Sequence, residues 1–177
     1  IQIENEYYSS IRPKRVTPPG ERPINVLRNQ GIDYLEIRAL DNNSFLPAGI
    51  DEDTSYFLEA YLIGCFFDED KKATQSEIEE LLFNWENVVK DGRNPDLKLH
   101  KNNERISIKD CGMKVIDSLR SIFEQMPQEM NLFRDKVFKS FDEQEKKLND
   151  PSLTPSGKII KELKTNNKTW EELNLEL

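Results

Sequence analysis

The stretch Ile32-Asp-Tyr-Leu-Glu-Ile-Arg-Ala-Leu40 places an acid and a base two positions apart in a predicted β-strand. Side chains in a strand alternate between its two faces. One face then carries Asp33, Leu35, Ile37 and Ala39, and the other carries Ile32, Tyr34, Glu36, Arg38 and Leu40. The first face is mostly apolar and suits packing under helices, whereas the second sets Glu36 and Arg38 about 7 Å apart along the strand. A carboxylate can bind Mg²⁺ and a guanidinium can bind phosphate, so this pair suits a nucleoside triphosphate.

Composition limits the classes of function. Of the 177 residues, 33% are charged and 36% are hydrophobic, which is typical of a surface-rich protein with one domain or part of a larger one. The net charge of −8 argues against a general binder of nucleic acid or of membrane surfaces. ATP stays compatible with an acidic chain, because Mg²⁺ and a few local cations can hold a polyanion. No signal peptide is visible, and no apolar run is long enough to predict a membrane span.

The cysteines and the histidine give weak signals. Cys65 and Cys111 are far apart and no CxxC motif is present, which argues against a zinc site. Two isolated thiols suit a reducing cytosol better than a disulfide, although a disulfide stays open. We interpret Cys65 as a small filler of a helix core and Cys111 as structural, and we assign His100 no role.

The first 50 residues predict strands and loops. Residues 1–8 alternate as a strand would, 9–22 form a proline-rich loop with a basic run at 12–15, and 41–50 form a second loop. A short helix is predicted over 23–29, before the strand at 32–40. The chain starts without Met and within strand-like alternation, so we expect a piece of a longer polypeptide.

From residue 51 onwards the pattern is helical, with starts at capping residues. Helices are predicted from Asp51 or Asp53 to Phe67, from Thr74 or Ser76 to Gly92, from Ser107 to Pro127, over 128–148, from Thr154-Pro155 to Lys164, and for a last turn from Thr169; 92–106 is predicted to be loop. The second helix has an apolar stripe made of Ile78, Leu81, Leu82, Trp85, Val88 and Val89. Trp85 and the later phenylalanines, at helical spacing, are interpreted as core. The prediction is an α+β fold, with strands over 1–50 and a helical region over 51–177.

Several motifs together resemble the glutamate–cysteine ligase family of the proteobacterial type. They are Gln2-Ile-Glu-Asn-Glu-Tyr-Tyr8, Ile11-Arg-Pro-Lys-Arg15, Gly31-Ile-Asp-Tyr-Leu-Glu-Ile-Arg-Ala-Leu-Asp41 and Gly49-Ile-Asp51, followed more thinly by Asn84-Trp85, Asp91-Gly-Arg-Asn-Pro95 and Leu148-Asn-Asp-Pro-Ser-Leu-Thr154. Family members are considerably longer, and the resemblance implies that this chain is their C-terminal part.

The resemblance also implies a reaction and a fold. Family members use ATP and Mg²⁺ to phosphorylate the γ-carboxylate of L-glutamate, and the amine of L-cysteine attacks the acyl phosphate, which is the first step of glutathione biosynthesis. Their sheet is antiparallel and curved, like that of glutamine synthetase, and its concave face carries the site.

Carried over by position, the resemblance implies a Mg²⁺ ligand at Glu36, an ATP-phosphate-binding catalytic arginine at Arg38, and a residue of the cysteine pocket at Tyr8. The basic run at 12–15 stays open between bracing the cleft wall and adding positive potential near the phosphates. A nucleic-acid role for that run is disfavoured by the acidic chain.

The remaining metal-binding carboxylates, the histidine and the glutamate-binding residues of the family belong to the upstream part. We therefore expect the chain alone to be inactive as a ligase, with that upstream part as its partner.

Three alternatives stay open. The parent could be another ligase of the superfamily that joins glutamate to a different amine. Alternatively, the helical part could be a non-catalytic scaffold, with the strands an incomplete edge. Glu36 and Arg38 could also be a plain ion pair on an exposed face.

Overall fold

The computed structural model describes residues 10–69, 71–102 and 104–175. They fall into two compact units that meet in sequence between Asn42 and Asn43. The first unit combines two strands with one helix, and helices dominate the second, in agreement with the α+β prediction. The strand predicted at 1–8 lies outside the described residues, and the domain division expected after residue 50 stays a prediction.

The first unit is a two-stranded ribbon with one helix between its strands. Its elements are β1 (Ile11–Lys14), α1 (Pro23–Gln30) and β2 (Tyr34–Ile37), and β1 pairs antiparallel with β2. The predicted strand at 32–40 is thus shortened, because β1 offers only four residues to pair with. Leu35, on the face expected to pack under helices, is 41% exposed, so the described residues do not supply that cover.

β1 lies inside the segment predicted to be loop, so that prediction was wrong for residues 11–14. Pro13 argues against a strand, because proline has no N–H for the ladder. In an antiparallel pair, however, hydrogen-bonded and non-hydrogen-bonded positions alternate. The Arg38 amide donates to the Ser10 carbonyl at 2.7 Å, which makes these two residues a hydrogen-bonded pair. Pro13 lies three positions after Ser10 and opposite Leu35. This is a non-hydrogen-bonded position, so the missing N–H of proline costs the ladder no hydrogen bond.

The helix predicted over 23–29 is confirmed as α1. Pro23 occupies its first turn, where the missing N–H costs nothing. Gly31 ends the helix at φ +80°, a conformation that favours glycine, and its amide donates to the Leu27 carbonyl.

Among its described residues, the second unit contains six α-helices and two short strands. They are α2 (Glu52–Phe67), α3 (Gln75–Asp91), β3 (Lys98–Lys101), β4 (Glu104–Ser107), α4 (Ile108–Phe123), α5 (Asn131–Asn149), α6 (Pro155–Thr165) and α7 (Trp170–Asn174). Side chains cap five of the helices as the sequence predicts, with oxygens that accept from a backbone amide two or three residues into the helix; the caps are Asp51, Thr74, Ser107, Thr154 and Thr169.

Helices α2, α4 and α5 enclose the core of this unit. Its buried members are Ala60, Ile116, Leu119, Phe123, Val137, Ser140 and Phe141. The Phe141 ring meets Phe57 and Phe123 edge-on, with centroids 6.4 and 6.0 Å apart. Gly64 brings α2 against Leu119, because a Cβ at this position would overlap the leucine side chain.

Cys65 does not fill this core. It is exposed, so its interpretation as a core filler was wrong. The apolar residues of α2 lie on nearly all sides of the helix, so their spacing does not show which face points into the core. That face is set by Ala60 and Gly64, which lie one turn apart and are both buried. Cys65 and Cys111 are both free thiols.

The loop predicted over 92–106 contains a β-hairpin instead. β3 and β4 pair antiparallel with Leu99 opposite Ile106, and Asn102 in the connection has a positive φ of 53°. The two strands are short and mostly polar, so alternation gives little signal. Asparagine tolerates a positive φ, so the asparagine dipeptide at 102–103 favours a turn.

α3 packs on this hairpin through the side opposite its apolar stripe. Phe83 stacks on His100 with ring centroids 4.3 Å apart. The Asn84 amide group donates to the His100 carbonyl at 2.6 Å, and its oxygen accepts from the His100 N–H at 2.7 Å. Trp85 is 51% exposed, so its interpretation as a core residue was wrong. None of the described helices is long and apolar enough to cross a membrane.

Candidate active site

Glu36 and Arg38 lie together on one face of the β1–β2 ribbon. Arg38 Nε donates to Glu36 Oε1 at 2.8 Å, and Arg38 Nη2 forms an ion pair with the same oxygen at 2.8 Å. Residues two apart in an extended chain point the same way, so the strand geometry itself brings the two side chains together. The roles expected for them stay predictions, but the geometry that those roles need is present.

Lys14 supplies a second cation from the neighbouring strand. It lies opposite Tyr34 in the register, and its Nζ is 3.4 Å from Glu36 Oε2. Each oxygen of the Glu36 carboxylate therefore has a different cation beside it. The hydrogen bond from Arg38, with a smaller contribution from Lys14, lowers the pKa of Glu36, so this carboxyl is ionised at neutral pH.

Arg15, from the same basic run, is used differently. Its guanidinium donates to the Gln30 side chain at 3.2 Å and to the carbonyls of Gln30 and Gly31 at 2.8 and 3.1 Å. It also pairs with Asp33 at 2.9 Å. These contacts tie the end of β1 to the end of α1. From the sequence, the basic run at 12–15 could either brace the cleft wall or add positive potential near the phosphates. In the structure, Arg15 makes the bracing contacts, whereas Lys14 lies beside Glu36.

The cluster of Lys14, Glu36 and Arg38 carries two positive charges and one negative charge. A guanidinium with several donors can bind phosphate oxygens in a fixed geometry, and an ammonium adds an adaptable charge. The three side chains are about one-third exposed, so a ligand in solvent can reach them. The cluster is therefore suited to a polyanion.

Glu36 also meets one requirement for a metal ligand. Its Oε2 is shielded from solvent and accepts no hydrogen bond; the Lys14 ammonium lies 3.4 Å away, so a metal cation that displaced Lys14 could use the lone pairs of this oxygen. The described residues contain no group of three or more potential metal-ligating side chains. Because Mg²⁺ requires near-octahedral oxygen coordination, Glu36 fits as one ligand of a site completed by other groups.

Tyr8, the residue expected in the cysteine pocket, lies outside the described residues. Tyr34 shares the face of Glu36 and is 50% exposed.

A separate cleft of about 400 Å³ lies between α3 and the β3–β4 hairpin. Glu79, Glu80 and Glu104 line it, together with Arg105 and the stacked rings of Phe83 and His100. Three carboxylates against one guanidinium would repel a polyphosphate, so this cleft does not fit a nucleotide.

Comparison with known proteins decides the family. A family model described as glutamate–cysteine ligase matches residues 1–88. The glutamate–cysteine ligase of Pseudomonas putida is 40% identical over 175 residues, which cover 99% of this chain and 33% of that protein. The chain belongs to the glutamate–cysteine ligase family. A second relative, from Pseudomonas savastanoi pv. phaseolicola, is 38% identical and covered to 32% of its length.

A solved structure gives the same family. The glutamate–cysteine ligase of Francisella tularensis, crystallised in complex with AMP, superposes with a TM-score of 0.83 and 37% identity. The match covers 99% of this chain and 34% of that protein. The chain thus spans about a third of the length of the glutamate–cysteine ligases that it matches. Glu36, Arg38 and Lys14 all lie in the segment matched by the family model.

Proposed function

We propose that this chain forms part of an ATP-dependent glutamate–cysteine ligase, as its C-terminal third, with β1 and β2 in the curved sheet that carries the active site. The observation that carries the proposal is the arrangement of Arg38 and Lys14 on the two oxygens of Glu36, in a segment matched by this family. The reaction joins the γ-carboxylate of L-glutamate to the amine of L-cysteine through an acyl phosphate, as the first step of glutathione biosynthesis.

Arg38 and Lys14 bind ATP in this proposal. Phosphoryl transfer depends mainly on positioning and on neutralising the negative charge that moves between oxygens. Arg38 holds phosphate oxygens with its planar donors, and Lys14 adds a second charge from the paired strand. In the absence of nucleotide, Glu36 keeps both cations oriented. This is the role of a positioning residue as well as of a metal ligand.

Glu36 provides one oxygen ligand to Mg²⁺, through the shielded Oε2. A bound metal would neutralise the negative charge that develops on the phosphate oxygens. Other ligands must come from the part of the ligase that this chain does not contain. That part also supplies the glutamate-binding residues, which is why we expect no γ-glutamylcysteine formation by these 177 residues alone.

Tyr8 contributes to the pocket for L-cysteine in the same proposal. Its position within the matched segment supports this role. The other partners are small molecules, namely L-glutamate and ATP, and neither nucleic acid nor membrane is involved. The two free thiols support a reducing, cytoplasmic setting.

The test uses a chimera, the Pseudomonas putida ligase with its matching third replaced by this chain. Arg38→Ala should lower kcat for γ-glutamylcysteine formation by about a hundredfold or more, as loss of a donor to transition-state charge does. The control is Arg28→Ala, an exposed arginine in the last turn of α1. Arg28→Ala should leave kcat unchanged; equal rates for both variants would refute the phosphate role of Arg38.

A second pair of variants tests the metal role. Glu36→Lys should raise the Mg²⁺ concentration needed for half-maximal rate by about tenfold or more. Lys14→Met should instead raise KM for ATP and leave the Mg²⁺ requirement nearly unchanged. A normal Mg²⁺ profile for Glu36→Lys would remove Glu36 from the ligand set. Rates with cysteine and with other amines would separate this ligase from one that uses a different amine.

A further inference from the structure

α3 carries an apolar surface that the described residues leave uncovered. We call it the α3 stripe, and it consists of Ile78, Leu81, Leu82, Trp85, Val88 and Val89. These side chains are between 40% and 69% exposed, and no residue of α3 is buried. Six large apolar residues on one face of a capped helix are more than the scattered apolar residues of an ordinary surface.

The direction of the α3 stripe is fixed by the contacts on the other side of the helix. Successive residues of a helix are rotated by about 100°, which places Phe83 and Asn84 away from the centre of the stripe. Phe83 and Asn84 hold His100 of β3, and Glu80 accepts from the Asn102 amide at 3.1 Å. The hairpin therefore occupies the polar side of α3, and the stripe faces away from it.

The edges of the α3 stripe are acidic. Glu77, Glu79 and Glu86 flank it, and Lys90, which pairs with Glu86 at 3.6 Å, is the single base of the helix. Two copies of this chain would bring these acids together, and each copy carries a net charge of −8. Like charges opposed across an interface disfavour association, so self-pairing through the stripe is disfavoured.

We infer that the α3 stripe is the docking surface for the remaining part of the glutamate–cysteine ligase, through an apolar patch with a basic rim. The inference rests on the proposed function. Its basis is the length of the relatives: the match covers 99% of this chain but only 33% of the Pseudomonas putida protein. About two-thirds of such a ligase is therefore available to cover the stripe, and an interface core is apolar with charges at its rim.

The first test compares exposure in two proteins without any substitution. Hydroxyl-radical labelling, read by mass spectrometry, is applied to the isolated 177-residue chain and to the chimera. Trp85 and Leu81 should label about fivefold less in the chimera, because residues at an interface core lose nearly all exposure. Leu132, an apolar residue of α5 that is 77% exposed, serves as the reference. Equal labelling of Trp85 in the two proteins would overturn the inference.

The second test uses one matched pair of substitutions. Leu81→Glu should lower the thermal midpoint of the chimera clearly, yet leave that of the isolated chain nearly unchanged, since the stripe is open there. Leu132→Glu makes the same chemical change elsewhere and should alter neither. An equal effect of Leu81→Glu in both proteins would contradict docking. So would a dimer of the isolated chain, seen by sedimentation velocity, that Leu81→Glu abolishes.

Activity of the chimera keeps the two proposals distinct. A protected stripe in a chimera that makes no γ-glutamylcysteine supports the docking surface and counts against the proposed function. An active chimera with an open stripe supports the function and refutes the docking surface.

Discussion

The side chain of Asn84 joins helix α3 to the hairpin by two hydrogen bonds, and its removal should open that junction. It donates to the His100 carbonyl and accepts from the His100 N–H. A hydrogen bond contributes a net 0.5–1.5 kcal/mol, so Asn84→Ala should cost about 2 kcal/mol locally. Since 1.4 kcal/mol is a factor of ten, the His100 amide should exchange its hydrogen about 30-fold faster.

The measurement is amide hydrogen exchange followed by NMR on the isolated chain. The control is Asn87→Ala on the same helix, because Asn87 donates only to the Phe83 carbonyl one turn earlier. This control should leave the His100 amide as protected as before. A second variant, Asn84→Asp, keeps an acceptor for the His100 N–H but loses the donor to the His100 carbonyl. Because its second carboxylate oxygen would face the His100 carbonyl oxygen, the effect should be at least as large as that of alanine.

A change in His100 exchange of less than about threefold in Asn84→Ala, with α3 still helical by circular dichroism, would refute this role of Asn84. An equal acceleration of His100 exchange by Asn87→Ala and by Asn84→Ala would refute it as well. In that case the two hydrogen bonds would not hold the junction, and packing of Phe83 on His100 would have to account for it.

Three further outcomes are expected. Phe141→Ala should lower the free energy of unfolding by about 3–5 kcal/mol in urea, because the ring is fully buried. Gly157→Ala should destabilise by about 1–3 kcal/mol in thermal unfolding, because the new Cβ would overlap the Pro151 carbonyl oxygen and lie 2.8 Å from the backbone of Ser152. Because its pKa is lowered, the Glu36 ion pair should be fully present above the ordinary glutamate pKa and be lost as pH falls through the lowered value, which carboxyl NMR titration would show.

Local signals predicted the helices well. Asp51, Thr74 and Ser107 each accept from a backbone amide three residues on, and such caps can be recognised from a few neighbouring residues. Similarly, Pro23 and Gly31 set the two ends of α1. These are short-range effects, and they need no knowledge of the tertiary structure.

Long-range contacts explain the failures. The position of Pro13 in the ladder depends on the register with β2, which no local pattern contains. The spacing of the apolar residues on α3 predicts which residues form the stripe, but it does not show which way the stripe faces. That direction depends on the hairpin that packs on the opposite side, and the sequence pattern predicts loop there. In the same way, burial beside Leu119 selects Gly64 rather than Cys65 for the inward face of α2.

The candidate site was partly accessible from sequence. Alternation alone places Glu36 and Arg38 on a common face, but the partnership of Glu36 with Lys14 needs the pairing of two strands that are 19 residues apart in the chain. The different contacts of Lys14 and Arg15 likewise depend on α1, because the Arg15 guanidinium donates to carbonyls at the end of that helix.

Val26 is the single buried apolar side chain among residues 10–42. A two-stranded ribbon with so small an interior is marginally stable in water. Limited proteolysis should therefore cut this segment long before it attacks the phenylalanine-rich helices. The residues proposed to bind ATP would therefore be among the first to unfold on warming. Saturating nucleotide should delay cleavage of this segment only in a protein that contains the complete binding site.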